Sequence, residues 1–165
     1  MSHANSPIIR TPSYSRTTMT ELVLPNHANV QGNILGGRVM HLMDMCAAMS
    51  AYKHARSAVV TASVDQLDFL APAKMGDIMI LKSSVNFTGS SSMEVGVRIE
   101  SENPKTGNTC HTVSAYLTFV SLNENGKPQK ILDVKPETEI EHARFSAGRE
   151  RYNQRRERIK RSKNN

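Results

Sequence analysis

The sequence predicts an α+β domain in which one antiparallel sheet curls around a single buried helix. Three observations carry this. From Arg38 to His54 only Arg38, His41, Asp44, Ser50, Lys53 and His54 are clearly polar, and the run is free of Pro and Gly and built mostly from good helix formers. After that run the hydrophobic period falls to two, through four long stretches. The last three turns along the chain join their flanking segments too closely for a crossover helix, so those neighbours run antiparallel. A helix and an antiparallel sheet sharing one core form an α+β layer arrangement.

The elements follow in order. Residues 1–19 are polar at first, have no apolar h-region of a secretory signal, and are expected to be a disordered lead-in. Glu21-Leu-Val-Leu24 is a short strand closed by Pro25, and residues 25–37 form a loop rich in Asn and Gly. In the Arg38–His54 helix, Val39, Met40, Leu42, Met43, Met45, Cys46, Ala47, Ala48 and Met49 point in nearly every direction, which predicts burial on all sides. Val59 to Leu70 is a strand whose alternation changes phase near Asp65–Gln66, as a bulge would cause. Ile78 to Thr88, Met93 to Ser101 and Thr109 to Leu122 complete the sheet; in the cleanest of them Met93, Val95, Val97 and Ile99 face the core and Glu94, Arg98 and Glu100 face away. The domain spans residues 20–125. Residues 126–165 form a linker and a basic tail, helical over 137–162, with a thin seam of Phe145, Tyr152 and Ile159; its first turns dock and its end frays. One helix covers only one face of such a sheet, so the remaining apolar surface and open edges predict pairing with a second subunit.

Charge narrows the function. The chain has 165 residues and a formal net charge of +6. Residues 1–140 hold 12 Lys and Arg against 12 Asp and Glu, so the whole excess lies in residues 141–165. A neutral body with a basic appendage argues against a broad cationic face for nucleic acid. No run of 18 apolar residues is present, so no membrane span is expected. The two cysteines, Cys46 and Cys110, are not spaced as a redox or metal pair, which points to a reducing, cytoplasmic setting. His27, His41, His54 and His111 have no metal-site spacing, and no G-x-S-x-G elbow presents a nucleophilic serine.

Two features carry chemistry. Asp44 lies within Met40-His-Leu-Met-Asp-Met-Cys-Ala-Ala48, where an unpaired carboxylate is heavily penalised by desolvation. It is either a functional carboxylate, or is satisfied by His41 one turn earlier, or faces a solvated groove. Upstream, Gly36-Gly37 opens the helix. The first amides of a helix lack internal partners and carry the positive end of its dipole, and glycine lets a ligand approach them closely. Such amides suit an oxyanion, although glycines serving tight packing would look the same.

The run Asn29-x-x-Gly32-x-x-x-Gly36-Gly37-x-x-Met40-x-x-x-Asp44 resembles the motif of hotdog-fold acyl-CoA thioesterases, in the branch of YciA-like and brain-type acyl-CoA hydrolases. The resemblance continues through Val64-Asp-Gln-Leu-Asp-Phe69-Leu-Ala-Pro72-x-x-x-Gly76-Asp77 and Ser91-Ser-Met-Glu-Val95. It implies a single hotdog domain that dimerises into a double hotdog, and hydrolysis of acyl-CoA to fatty acid and coenzyme A. It implies Asp44 as general base on water (direct attack on the thioester is the variant), Asn29 as the residue orienting water or the thioester carbonyl, and Gly37 with Gly36 as the oxyanion-binding amides. Ser90, Ser91 and Ser92 would line the coenzyme A groove. Asn29 and Asp44 would come from opposite sides of a homodimer, and relatives often form trimers of dimers. No metal or redox cofactor is implied, coenzyme A being part of substrate and product. Two other readings use the same fold: a non-catalytic acyl-CoA-binding regulator, and an enoyl-thioester hydratase using an Asp/His pair. For the tail, a solvated helix stands beside a role for Arg149, Arg151, Arg155 or Arg156 near the phosphates of coenzyme A.

Overall fold

The computed structural model describes residues 8–163. Its elements are α1 (Pro12–Ser15), β1 (Thr17–Leu22), a 3-10 turn (Pro25–His27), α2 (Gly36–Ala55), β2 (Ala58–Phe69), β3 (Ile78–Thr88), β4 (Ser92–Glu102), β5 (Thr109–Leu122) and α3 (Glu139–Lys163). The five strands form one sheet in the order β1-β3-β4-β5-β2, every pair antiparallel. This is the hotdog arrangement, with α2 as the filling.

The core lies between α2 and one face of the sheet. From α2 come Val39, Leu42, Met43, Cys46, Ala47, Ser50, Ala51 and His54, a stripe with helical spacing. From the sheet come Met79, Leu81, Val85, Met93, Val95, Ile99, Leu117 and Phe119, every second residue of their strands. Removing each of the larger side chains from water stabilises the fold by roughly 1.5–3 kcal/mol. The helix ends at Arg56, whose left-handed φ of 54° lets its amide donate to the Tyr52 carbonyl at 2.9 Å.

Within one chain, α2 is not buried all round. Met40, Met45 and Tyr52 remain 43–50 % exposed, because the sheet reaches only one side of the helix. Beside them runs β2, an edge strand bonded to β5 alone, with Val60, Val64 and Phe69 exposed. The phase change expected in β2 is real and double: β2 carries extra residues against β5 between Thr61 and Ser63 and between Val64 and Gln66.

The lead-in and the tail both depart from expectation. Residues 1–7 lie outside the described residues, but 8–19 are not a disordered lead-in. Ser15 is fully buried, its hydroxyl accepting the Val85 amide at 2.8 Å and donating to the Pro12 carbonyl at 3.0 Å. Arg10 donates to the His54 carbonyl and its own carbonyl accepts the Lys135 amide at 2.9 Å. Strand β1 accordingly begins at Thr17, four residues before the expected Glu21.

Helix α3 packs across the sheet face opposite α2. Thr138 and Glu141 form a capping box: the Glu141 amide donates to Thr138 Oγ1 at 3.2 Å, and the Thr138 amide donates to Glu141 Oε2 at 3.2 Å. Phe145 and Tyr152 close on Phe87, with ring centroids 5.1 and 5.3 Å away. Gly148 is where helix and sheet come nearest; a Cβ there would stand 2.9 Å from Glu94 Oε1 and 3.0 Å from Phe87 Cβ. Farther along, Arg151 forks onto Glu94 (2.9 and 2.8 Å) and lies 3.6 Å over the Tyr116 ring, while Arg155, 9 % exposed, meets Asp65 at 2.9 Å. The seam is therefore docked by arginines as much as by aromatics, and Ile140 and Ile159 stay exposed.

Candidate active site

Three segments supply the groups singled out by the sequence. The first is the loop before α2. The Asn29 amide donates to the Asn33 carbonyl at 2.8 Å, and the Asn29 Oδ1 accepts the amides of Gln31 and Asn33 at 3.0 and 3.1 Å. Gly32, at φ +77°, closes this tight turn. Because the side-chain oxygen is spent on the loop, Nδ2 is the end of Asn29 left to act on a ligand, and it acts as a donor. The loop is tied to the Pro72–Asp77 connection: Ile34 donates to the Ala73 carbonyl and Met75 to the Gly32 carbonyl, both at 2.8 Å.

The second segment is the start of α2. Gly36 and Gly37 are the first helical residues rather than the last loop residues, and Leu35 provides no side-chain cap. Their amides have no hydrogen-bond partner among the described residues, since Leu35 accepts from Arg38 and Val39. Space beyond Gly37 is open, with nothing within 4 Å of where a Cβ would be; the Phe69 ring stands 3.7 Å from the same position on Gly36. An ion pair of 2.7 Å between Arg38 and Glu21 ties this end of the helix to β1. Beside it opens a cavity of about 320 Å³ lined mainly by Ile34, Val39, Phe69, Met79 and Val113, with Gly36 at its wall.

The third segment is the middle of α2. Asp44 is half-buried and its Oδ1 accepts the Thr61 hydroxyl at 2.7 Å. No histidine bonds Asp44 among the described residues; His41 is exposed on the open side of the helix, so an Asp/His pair of the hydratase kind is absent there. Nothing in the sequence singles out Thr61, because a threonine in a strand is unremarkable; only the packing of α2 against β2 sets it beside the carboxylate.

Asp44 and the helix-start amides do not converge within one chain. Seven residues separate Gly37 from Asp44, about 10 Å along the axis at 1.5 Å per residue, whereas a general base and an oxyanion hole must each lie about 3 Å from the reacting group. The serine turn is farther off. Ser90 to Ser92 lie at the β3–β4 hairpin, where Thr88 pairs with Met93, and Met79, beside Gly36, lies near the opposite end of β3. The carbonyls of Ser90 and Ser91 accept the amides of Ile131 and Ser121, at 3.0 and 2.9 Å. Within one chain, then, these serines form no common site with Gly36, Gly37 and Asn29.

Two of the arginines proposed for coenzyme A are also committed elsewhere. Arg151 and Arg155 point inward onto Glu94 and Asp65, leaving Arg149 and Arg156 on the surface. Cys46 is no nucleophile: burial pushes its thiol up from the ordinary value, and it donates to Ser83 Oγ. No three His, Cys, Asp or Glu side chains among the described residues gather as a metal site. No helix among them is long and apolar enough to cross a membrane.

One antiparallel five-stranded sheet wrapped on one face around α2 defines a hotdog domain. Comparison with known proteins gives the family. The thioesterase superfamily model matches residues 31–108. A Bacillus subtilis protein named as an uncharacterized acyl-CoA thioester hydrolase is 38% identical over 95% of this chain and 91% of its own length. The mouse cytosolic acyl coenzyme A thioester hydrolase is 36% identical over 89% of this chain, which spans 39% of that longer protein. Among solved structures, an apo-hexameric acyl-CoA thioesterase superposes with a TM-score of 0.88 at 42% identity, covering 92% of this chain and 98% of that one. The Staphylococcus aureus acyl-CoA hydrolase, solved with butyryl coenzyme A, coenzyme A and its disulfide, gives 0.88 at 36% identity, covering 95% and 96%. That enzyme has also been solved as alanine variants of an Asp, a Thr and an Asn. This chain belongs to the thioesterase superfamily, among its acyl-CoA thioester hydrolases.

Proposed function

We propose that this protein hydrolyses acyl-CoA thioesters, with Asp44 as general base and Gly37, Gly36 and Asn29 as the groups that hold the thioester oxygen. The observation that carries the reading is the pair of unclaimed amides at the open start of α2, beside an apolar cavity and two turns from a carboxylate held by a hydroxyl. Asp44 takes a proton from water; the resulting hydroxide adds to the thioester carbon. Negative charge develops on the carbonyl oxygen, where helix-start amides and Asn29 Nδ2 stabilise it. Collapse of the tetrahedral intermediate breaks the C–S bond, and the proton held by Asp44 serves the departing thiolate. Neither metal nor redox cofactor enters these steps.

The chain acts as a homodimer at least. A separation of about 10 Å between Gly37 and Asp44 leaves each chain with two half-sites. A second copy laid along the open edge of β2 would cover the exposed methionines of α2 and bring one copy's Asp44 toward the other's Asn29. A hexamer of three such pairs agrees with the hexameric relative. Assembly also offers the route by which Ser90 to Ser92, Arg149 or Arg156 would reach a coenzyme A bound mainly elsewhere. A cytoplasmic location suits this chemistry and the cytosolic mouse relative.

The test is thiol release from short, medium and long acyl-CoAs by wild type and Asp44→Asn. Wild type releases thiol and Asp44→Asn, still folded, loses at least about a hundredfold in kcat, the usual worth of a positioned base. Wild-type turnover in the variant would remove Asp44 from its role.

A further inference from the structure

The part of β2 that carries Thr61 is the least regular part of the sheet. Strand β2 is an edge, so only β5 holds it, and between residues 61 and 66 the register slips twice. An extra residue in a strand has no ladder partner and bends it. Something other than the ladder must fix this stretch, because Thr61 meets Asp44 at 2.7 Å from within it.

The fixing group is Asp65, which lies within the second slip and turns toward α3. Its Oδ1 accepts the Ser63 hydroxyl at 2.8 Å; its Oδ2 accepts the Thr118 hydroxyl at 2.6 Å and Arg155 Nη1 at 2.9 Å. Arg155 Nη1 also donates to Thr118 Oγ1 at 2.5 Å, and Arg158 approaches Asp65 Oδ1 at 3.8 Å. Side chains of Asp65 and Arg155 are 6 % and 9 % exposed, so the pair is shielded from solvent. Four residues separate Asp65 from Thr61, and both flanks of this bulged stretch are thus pinned: Thr61 on α2 from one face, Asp65 on α3 from the other.

We infer that Arg155, through Asp65, is a positioning residue for hydrolysis: the tail helix clips the doubly bulged segment of β2 so that Thr61 holds the Asp44 carboxylate in the orientation the reaction needs. This rests on the proposed Asp44 chemistry. A buried carboxylate deprived of its cation relocates toward water, which loosens the bulges, and Thr61 moves with them. Arg151, which forks onto Glu94 of β4 and makes no hydrogen bond to β2 among the described residues, performs the same anchoring for α3, so it serves as the internal control.

The experiment is steady-state thiol release from octanoyl-CoA by full-length wild type, Arg155→Met, Arg155→Lys, Thr118→Val, Arg151→Met and Thr61→Val, alone and with Arg155→Met combined with Thr61→Val. Misplacing an orienting group typically costs about ten- to a hundredfold in rate. Arg155→Met is expected to lower kcat by that order with KM unchanged, Arg155→Lys to restore part of the loss, and Arg151→Met to leave kcat near wild type. In the Thr61→Val background Arg155→Met should add little, since its effect is already spent. Thr118→Val, which keeps the ion pair, covers the case in which Arg155→Met does not fold; it should lower kcat several-fold on the same pattern. Unchanged kcat in Arg155→Met, or in Thr118→Val if that alone folds, overturns the inference. So does a full, independent loss on top of Thr61→Val. Active wild type with unaffected variants defeats this inference alone, whereas wild type that releases no thiol from any acyl-CoA defeats the hydrolytic reading and this inference with it.

Discussion

Thr61→Val replaces one hydroxyl with a methyl group of nearly the same shape, in a strand where valine is at least as well suited as threonine. What disappears is the 2.7 Å hydrogen bond to Asp44 Oδ1. A hydrogen bond to an ionised partner is worth roughly 1.5–3 kcal/mol. At 1.36 kcal/mol per decade of rate, that is about 10- to 150-fold if the whole bond acts in the transition state. Asp44 is only half-buried, so solvent replaces part of the lost bond and the lower end of that range applies. The expected result is a kcat about 10- to 30-fold below wild type with KM within about twofold, and a melting temperature nearly unchanged because surface substitutions usually shift stability by less than about 0.5 kcal/mol. Thr61→Ser keeps the hydroxyl and should recover most of the rate. The assay is thiol release with a chromogenic disulfide at saturating acyl-CoA. If Val turns over like wild type, or if Ser is as slow as Val, the hydroxyl does not orient the base.

Other substitutions separate stability from activity. Gly37→Ala meets no atom within 4 Å and trades glycine for the best helix former, so it should stabilise the fold by roughly 0.5–1 kcal/mol while slowing hydrolysis, because the added methyl group stands where the thioester must approach; a melt and a turnover assay moving in the same direction would contradict the oxyanion-hole assignment. Gly148→Ala gains the same helix propensity but drives a methyl group to 2.9 Å from Glu94 Oε1, an oxygen pinned by Arg151, and to 3.0 Å from Phe87 Cβ. Overpacking of about 1–3 kcal/mol should outweigh the propensity gain, and a raised melting temperature would show that α3 is not seated as described. His54 is fully buried with Nε2 donating to the Leu132 carbonyl and Nδ1 unpartnered among the described residues; burial holds its pKa below the usual 6.5. The unfolded chain therefore binds the proton more readily, and stability present above that value is lost as pH falls through and below it. Thermal melts from pH 7.5 to 5.0 should show this decline, and His54→Gln, which keeps a donor for Leu132, should flatten it.

The central helix, the four long strands and the phase break in β2 were legible because each rests on local periodicity. Asp44 was legible for a related reason: one carboxylate in an apolar run is a local contradiction. Its partner was not, since Thr61 contradicts nothing around it. Similarly, the run Met40 to Met49 predicts burial on every side, whereas the single chain buries one stripe; hydropathy registers that a surface should be covered but not which molecule covers it. Residues 8–19 hold to the fold through the buried Ser15, the backbone bond between Arg10 and Lys135 and the start of the β1–β3 ladder, and the first two of these have no sequence pattern.

The tail exposes the deeper limit of reading charge from sequence. Nine basic residues after residue 140 looked like a solvated appendage because the body before them balances to zero. That balance includes Asp65 and Glu94, two acids on outward-facing positions of their strands. In the fold these positions face α3, where Glu94 receives Arg151 and Asp65 receives Arg155. The body is therefore neutral only by counting acids whose charge is answered by the tail, and the tail is basic only by counting arginines whose charge is answered by the body. Once these two pairs are set aside, the part of the excess still free to meet an anionic ligand rests on exposed cations such as Arg149 and Arg156. The capping box of Thr138 and Glu141 gives that helix a defined start. What no local sign reveals is that the far face of the same sheet carries Asp44's partner. Helix and hydroxyl are coupled only through the bulges of β2, and a coupling of that kind exists in the packed molecule and nowhere in the order of its residues.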